Sequence, residues 1–202
     1  MSIKTILIKN TGYNLGGYFY LLLASFFSVS VLLNNLGRDV FGVYVFLISF
    51  ISLSAVFDFG LSSAVVRKLS LPEASKDEKV KTWQTSFVIF ITLAAILSVF
   101  VYVLLSYLSS VMPIFVHLDK NTASVSAIVL SFIVFVNHIN IHFLNLPQAE
   151  QRFDVFNIKT ILVGTANTII SAIISGYFPN IALLFFVQLC FHLLTSIFMI
   201  NY

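Results

Sequence analysis

Six apolar windows follow one another along the chain, at positions 12–33, 41–61, 83–107, 123–146, 160–177 and 181–202, each free or nearly free of Lys, Arg, Asp and Glu. A helix rises about 1.5 Å per residue, so about 20 apolar residues cross a hydrocarbon core of ~30 Å, and these windows have about that length. A helix also satisfies its own backbone groups, which lipid demands. Strands are the losing alternative, because a membrane barrel needs segments of about ten residues that alternate polar and apolar, and these runs are longer and do not alternate. The pattern therefore predicts an all-α integral membrane protein with six transmembrane helices. The links between windows carry turn formers: Asn34, Asn35 and Gly37 after the first, Pro72 after the second, Pro113 after the third, Pro147 after the fourth, and Pro179 with Asn180 after the fifth. None of these links has room for a folded soluble domain. The first window is longer than the core of a signal peptide, about 7–15 residues, and no small-residue cleavage site follows it, so it is expected to stay as a helix.

Composition adds the solvent. Of 202 residues, 59% are hydrophobic and 9% are charged, where a soluble domain carries roughly 25% charged residues. Eleven Lys and Arg with eight Asp and Glu cannot cover the outside of a water-soluble globule of this size, which excludes a soluble enzyme. The net charge of +3 forms no separate basic domain and gives no reason to expect nucleic acid. A single cysteine, Cys190, lies in an apolar run and cannot make an internal disulfide.

The cations are placed unevenly. Lys4 and Lys9 precede the first window, Arg67, Lys68, Lys76, Lys79 and Lys81 follow the second, and Arg152 and Lys159 follow the fourth. The other side of the membrane receives only Arg38 and Lys120. Nine against two predicts that both termini are cytoplasmic. The mixed-charge stretch 73–81 reads as a solvated connection, with at most a helical turn at the surface.

Small and polar residues inside the windows show which faces meet protein rather than lipid. Gly12, Gly16, Gly17, Ala24 and Ser28 in the first window, and Thr160, Gly164, Thr168, Ser171 and Ser175 in the fifth, read as close-contact faces. In the fourth window Ser131, His138, His142 and Asn145 recur at i, i+7, i+11 and i+14, beside Asn137 and Asn140. In the sixth, Gln188, His192 and Ser196 recur every four residues, while Asn14 and Asp58 sit in the first and second. Polar groups at membrane depth are costly against hydrocarbon, so they face one another or a wet cavity, an arrangement that suits a transporter. The candidate cavity residues are Asn14, Asn137, His138, His142, Gln188 and His192, with Asp58 as candidate coupling site for a proton or sodium ion. For the histidines the alternative is interhelical hydrogen bonding, and for Asp58 it is capping a helix or pairing with Arg67. His138 and His142 have metal-ligand spacing, yet no Glu follows the first and no thiol is near, so no metal and no other cofactor is expected. No Ser-His-Asp set, phosphate-binding Gly-rich loop or cysteine cluster offers a route to catalysis, and the chain is not expected to be an enzyme.

Three stretches carry a family likeness. They are Lys9, Asn10, Thr11, Gly12, Tyr13 and Asn14 at the start of the first helix; Leu36, Gly37, Arg38, Asp39, Val40, Phe41, Gly42, Val43 and Tyr44 between the first and second; and Asp58, Phe59, Gly60, Leu61, Ser62, Ser63 and Ala64 leaving the second. In this order and topology the chain resembles the N-terminal half of bacterial polysaccharide flippases, the O-antigen and exopolysaccharide exporters of the MOP superfamily. The glycines independently permit a tight outer turn and close backbone approach, and Asp58 with Gly60 should loosen the end of the second helix. The resemblance implies one six-helix bundle, residues 1–202, of a MATE-like two-bundle transporter whose C-terminal bundle lies outside this sequence. It implies that an undecaprenyl-pyrophosphate-linked oligosaccharide crosses the bacterial inner membrane, from the cytoplasmic to the periplasmic leaflet, by alternating access. Its partners would be that lipid-linked oligosaccharide, membrane lipids, the second bundle and the polysaccharide polymerase machinery. With no Lys or Arg inside the windows, a cationic cavity would draw on the histidines, the boundary residues or the other bundle. Two further readings keep the six helices: an exporter of small cations that exchanges ions at Asp58, and a scaffold or assembly subunit that transports nothing.

Overall fold

The computed structural model describes the backbone of residues 3–201 and the side chains of residues 11–201 other than Ala55. Lys4, Lys9 and Asn10, used above for orientation and likeness, have their side chains outside the described residues. The chain folds as α1 (Ile3–Leu36), α2 (Arg38–Ser54), α3 (Leu61–Leu69), α4 (Lys76–Val111), α5 (Lys120–Ala149), α6 (Phe153–Thr165), α7 (Ser171–Tyr177) and α8 (Ile181–Ile200), with no strand among the described residues. Among the described residues six helical stretches are long and apolar enough to cross a membrane: Thr11–Leu36, Arg38–Asp58, Lys76–Val111, Lys120–Ala149, Phe153–Tyr177 and Ile181–Ile200. The all-α membrane architecture predicted from the windows is the one observed.

The helices outrun the apolar windows, and the differences have local causes. Asn34 and Asn35 belong to α1, not to a loop, because Gly37 alone makes the turn, with φ +77, a conformation that costs other residues more. Gly42 is an ordinary helical residue of α2. The second crossing ends earlier than position 61: a 3₁₀ turn over Ala55–Asp58 leads to Phe59 and Gly60, both left-handed (φ 49 and 78), and the chain restarts as α3. Pro147 lies inside α5, near its end, where the missing N–H frees little of the ladder.

The stretch 73–81 is only partly a connection. Ser75 caps α4: its hydroxyl accepts from the Glu78 amide while the Glu78 carboxylate accepts from the Ser75 amide at 2.8 Å, so Lys76–Lys81 form the first turns of the helix. Ser75→Ala should weaken that end by about 1 kcal/mol, seen as faster amide exchange over residues 76–82 with the membrane-embedded part unchanged. Within α4, Trp83 and Tyr107 stand about 36 Å apart along the axis, as interfacial aromatics on the two sides of a bilayer would.

The centre of the bundle is α5, packed against α2, α3, α4, α6 and α8. Some 61% of its apolar stretch is buried, against at most 33% for any other crossing. Leu130, Ile133 and Val134 of α5 meet Ile181, Leu184 and Phe185 of α8 and Leu47 of α2 in the main core. The first crossing leans on the fifth, α1 against α6, α7 and the turn between them. Gly17, Ala24 and Ser28 form that seam: a methyl group on Gly17 would come within 2.7 Å of Asn157 Oδ1, and one on Gly164 would collide with Leu21. Gly12 and Gly16 do not belong to it, since a methyl group at either position would meet nothing within 4 Å among the described residues. Large side chains such as Leu15, Phe19 and Phe26 of α1 point outward, as expected where the solvent is hydrocarbon.

Candidate functional site

The fourth crossing carries its polar stripe into the protein because it is surrounded, and the stripe then divides between two neighbours. Toward α4, His138, His142 and Asn145 are fully buried. The His142 ring lies in an aromatic well, with centroids 4.0 Å from Trp83, 5.4 Å from Phe87, 5.3 Å from Phe90 and 5.9 Å from Phe143. His138 sits one turn along, 6.3 Å from Phe90. Neither ring nitrogen of either histidine, nor either polar atom of the Asn145 side chain, has a hydrogen-bond partner among the described residues. Asp58 reaches toward this group: it is close enough to His138 for their charges to interact. Its carboxylate also accepts from the amide and hydroxyl of Ser62, at 3.1–3.2 Å, and so holds the start of α3. Its ion-pairing alternative, Arg67, makes no salt bridge with it.

Toward α8 the stripe is hydrogen-bonded. The Asn140 amide donates to the His192 carbonyl at 3.0 Å and to Thr195 Oγ1 at 3.3 Å, and Ser196 donates to Asn140 Oδ1 at 2.7 Å. The imidazole of His192 is buried with both nitrogens unpartnered. Gln188, one turn earlier, donates to Tyr44 Oη at 2.9 Å and to Ser171 Oγ at 3.1 Å, which ties α2, α7 and α8 together. Tyr44 in turn donates to the Asn167 carbonyl at 3.4 Å. Asn167 lies in a π turn, Ala166–Ile170, that interrupts the fifth crossing, and Ser171 closes it by donating to Ala166 at 2.7 Å. Such turns recur at functional sites, because the extra residue re-aims side chains and frees backbone groups. Near the end of the bundle where α6 begins, Asn157 donates to Asn14 Oδ1 at 2.8 Å and joins α6 to α1.

The candidate residues are thus brought inside one bundle but not onto one open surface. His138, His142, Gln188 and His192 are buried; Asn14, Asp58 and Asn137 are half-buried. The clefts on the outside of the bundle, between α3 and α4 and at the two ends of the α4–α5 pair, have linings made of other residues. Asn14, Asn140 and Gln188 follow the interhelical hydrogen-bonding reading, and Asn145 and the three histidine rings do not. An unpartnered buried polar group costs about 1–3 kcal/mol, so a row of them inside a helix bundle calls for a physical explanation.

Two residues outside the sequence-predicted set lie beside these groups. Lys159 falls in the second turn of α6, within a membrane-crossing stretch, half-buried and near enough to His192 for its charge to act there. No hydrogen bond or ion pair engages it among the described residues. Starting the fifth window at 160 had left it outside, whereas the helical register of Phe153, Phe156 and Asn157 would have brought it in. Tyr44 was missed as a polar group; a buried tyrosine needs a partner for its hydroxyl, and that was the available signal.

Over 80 residues the chain is 34% identical to a protein of Shigella flexneri described as "Putative O-antigen transporter". The match takes up 40% of this chain but 19% of the length of that relative. No family model matches the chain. No solved structure matches it.

Proposed function

We propose that this chain is a six-helix bundle of an inner-membrane translocator that carries an undecaprenyl-pyrophosphate-linked oligosaccharide from the cytoplasmic to the periplasmic leaflet, both termini being cytoplasmic. The observation that carries the reading is the set of buried, unpartnered polar atoms on α5 and α8, at His138, His142, Asn145 and His192. Sugar hydroxyls both donate and accept, so they are the class of ligand that would pair with imidazole and carboxamide groups once the helices separate. Lys159, free of any ion pair among the described residues, offers a cation for the pyrophosphate at the end of the bundle where substrate would enter. The likeness to an O-antigen transporter points the same way. A second bundle and a polysaccharide polymerase are the partners this activity requires. Exchange of small cations at Asp58 has less behind it, since that carboxylate is already bound to Ser62.

The test is genetic complementation: the whole reading frame that encodes this chain, expressed with its cognate sugar pathway in a strain lacking its own flippase. Surface polysaccharide should return, and Lys159→Gln should lower its export about tenfold or more, the worth of a charge-assisted hydrogen bond. No surface polysaccharide despite normal membrane insertion would overturn the reading.

A further inference from the structure

The cleft between α3 and α4 has features that translocation of a sugar does not call for. Its volume is about 350 Å³, and each wall is one face of a helix. On α3 the lining residues Leu61, Ala64, Val65 and Lys68 fall at i, i+3, i+4 and i+7. On α4 they begin at Glu78 and Lys81 and end at Ile89, so the two helices run from charged to apolar in the same direction. Lys68 and Lys81 both line the charged end; both are exposed, and neither makes a salt bridge among the described residues. Below them stand the hydroxyls of Thr82, Thr85 and Ser86. Those of Thr82 and Ser86 donate to their own helix, at 2.8 and 3.0 Å, and keep accepting lone pairs, while Thr85 makes no hydrogen bond among the described residues. Farther from the lysines along the two helices are Leu61, Val65 and Ile89.

That order of cations, hydroxyls and apolar side chains is the order of chemical groups along a phospholipid: phosphate, ester-linked glycerol, acyl chain. The groove also lies where Trp83 marks the interface on α4. Its one acid, Glu78, accepts from the amide and hydroxyl of Ser75 at 2.8 and 3.0 Å, at the positive end of the helix, and is near enough to Lys68 for their charges to interact, so the two lysines leave the groove with one net positive charge. Two lysines against one carboxylate favour a net anionic headgroup over a zwitterionic one, whose ammonium they would repel. We propose that the α3–α4 groove is a binding site for an anionic phospholipid, with Lys68 and Lys81 on the phosphate, Thr85 on the glycerol ester and Leu61, Val65 and Ile89 along the acyl chain. The site does not depend on what the bundle transports.

The test is lipid retention by the full chain purified in detergent, incubated with phosphatidylglycerol or phosphatidylcholine and read by native mass spectrometry. Phosphatidylglycerol should be retained about 30-fold more strongly, since each lysine near the surface contributes about a fivefold preference. Lys68→Gln should remove about fivefold, and Lys68→Gln with Lys81→Gln should bring the two lipids level. Lys76→Gln with Lys79→Gln makes the same charge change on the neighbouring cleft and should leave the preference in place. Equal retention of both lipids by the parent chain would overturn the site, as would an equal loss in the Lys76 and Lys79 variant, which would mean general surface attraction. Inorganic phosphate bound in the millimolar range with the same dependence on Lys68 and Lys81, and no preference between the lipids, would make it a phosphate site and overturn the lipid. Exposed Lys→Gln changes alter stability little, and an unchanged melting temperature confirms that each variant is folded.

Discussion

His142→Leu should lower polysaccharide export at least tenfold while leaving the bundle as stable as the parent, or more so. The ring is fully buried, its two nitrogens have no partner, and aromatic side chains surround it. Removing the two polar atoms relieves a penalty of about 1–3 kcal/mol for an unsatisfied group. The loss of ring stacking, about 0.5–1.5 kcal/mol, opposes it. Leucine is close enough to imidazole in volume to occupy the well, so the balance falls between neutral and about 1 kcal/mol of stabilisation. Thermal unfolding in detergent should show a melting temperature unchanged or raised by a few degrees. Export should fall at least tenfold, because a sugar hydroxyl would lose its partner in the open state. The reverse result, a clear loss of stability with export intact, would make His142 a structural residue and remove the main support for a site on α5. Asn140→Leu supplies the contrast: Asn140 bonds the His192 carbonyl, Thr195 and Ser196, so its replacement should lower stability.

The difference between those two residues was not visible along the chain. Spacing placed His138, Asn140, His142 and Asn145 on one helix and said that they turn inward. Which of them finds a partner depends on α8 and on α4, whose rotation about their axes spacing does not set. The six crossings were legible because hydrocarbon imposes a length and an apolar content on each. Their ends were less so: helices continue past the bilayer where a cap such as Ser75 supports them, and a composition window stops at the first charge, which is how Lys159 was placed outside. Asp58 and Gly60 were read as loosening the second helix, and they do, at a left-handed turn. The amphipathic α3 that follows went unseen, because nine residues are too short for a hydropathy window. Gly12 and Gly16 show the opposite failing, a packing motif on a face that meets no other helix among the described residues.

Phe185→Ala should cost about 2 kcal/mol, and Phe186→Ala beside it less than about 0.5 kcal/mol. The first ring is 0% exposed in the main core and stacks on Tyr44 at 5.4 Å, whereas the second is 52% exposed on the outside of α8. In a soluble protein a buried Phe→Ala change costs about 3–5 kcal/mol, part of it the transfer of the ring out of water. In a bilayer the separated helix keeps that ring in hydrocarbon, so the transfer part disappears and the cavity and lost contacts remain. Tyr44 adds a second consequence: without the ring against it, its hydroxyl is less firmly placed to accept from Gln188, one turn along the same face of α8. Reversible unfolding in mixed micelles of increasing denaturing detergent measures both variants. A loss of 4 kcal/mol or more at Phe185 would mean that the unfolded reference is aqueous, and a larger loss at Phe186 than at Phe185 would mean that α8 is rotated, which would also unseat Gln188 and His192 from the interior.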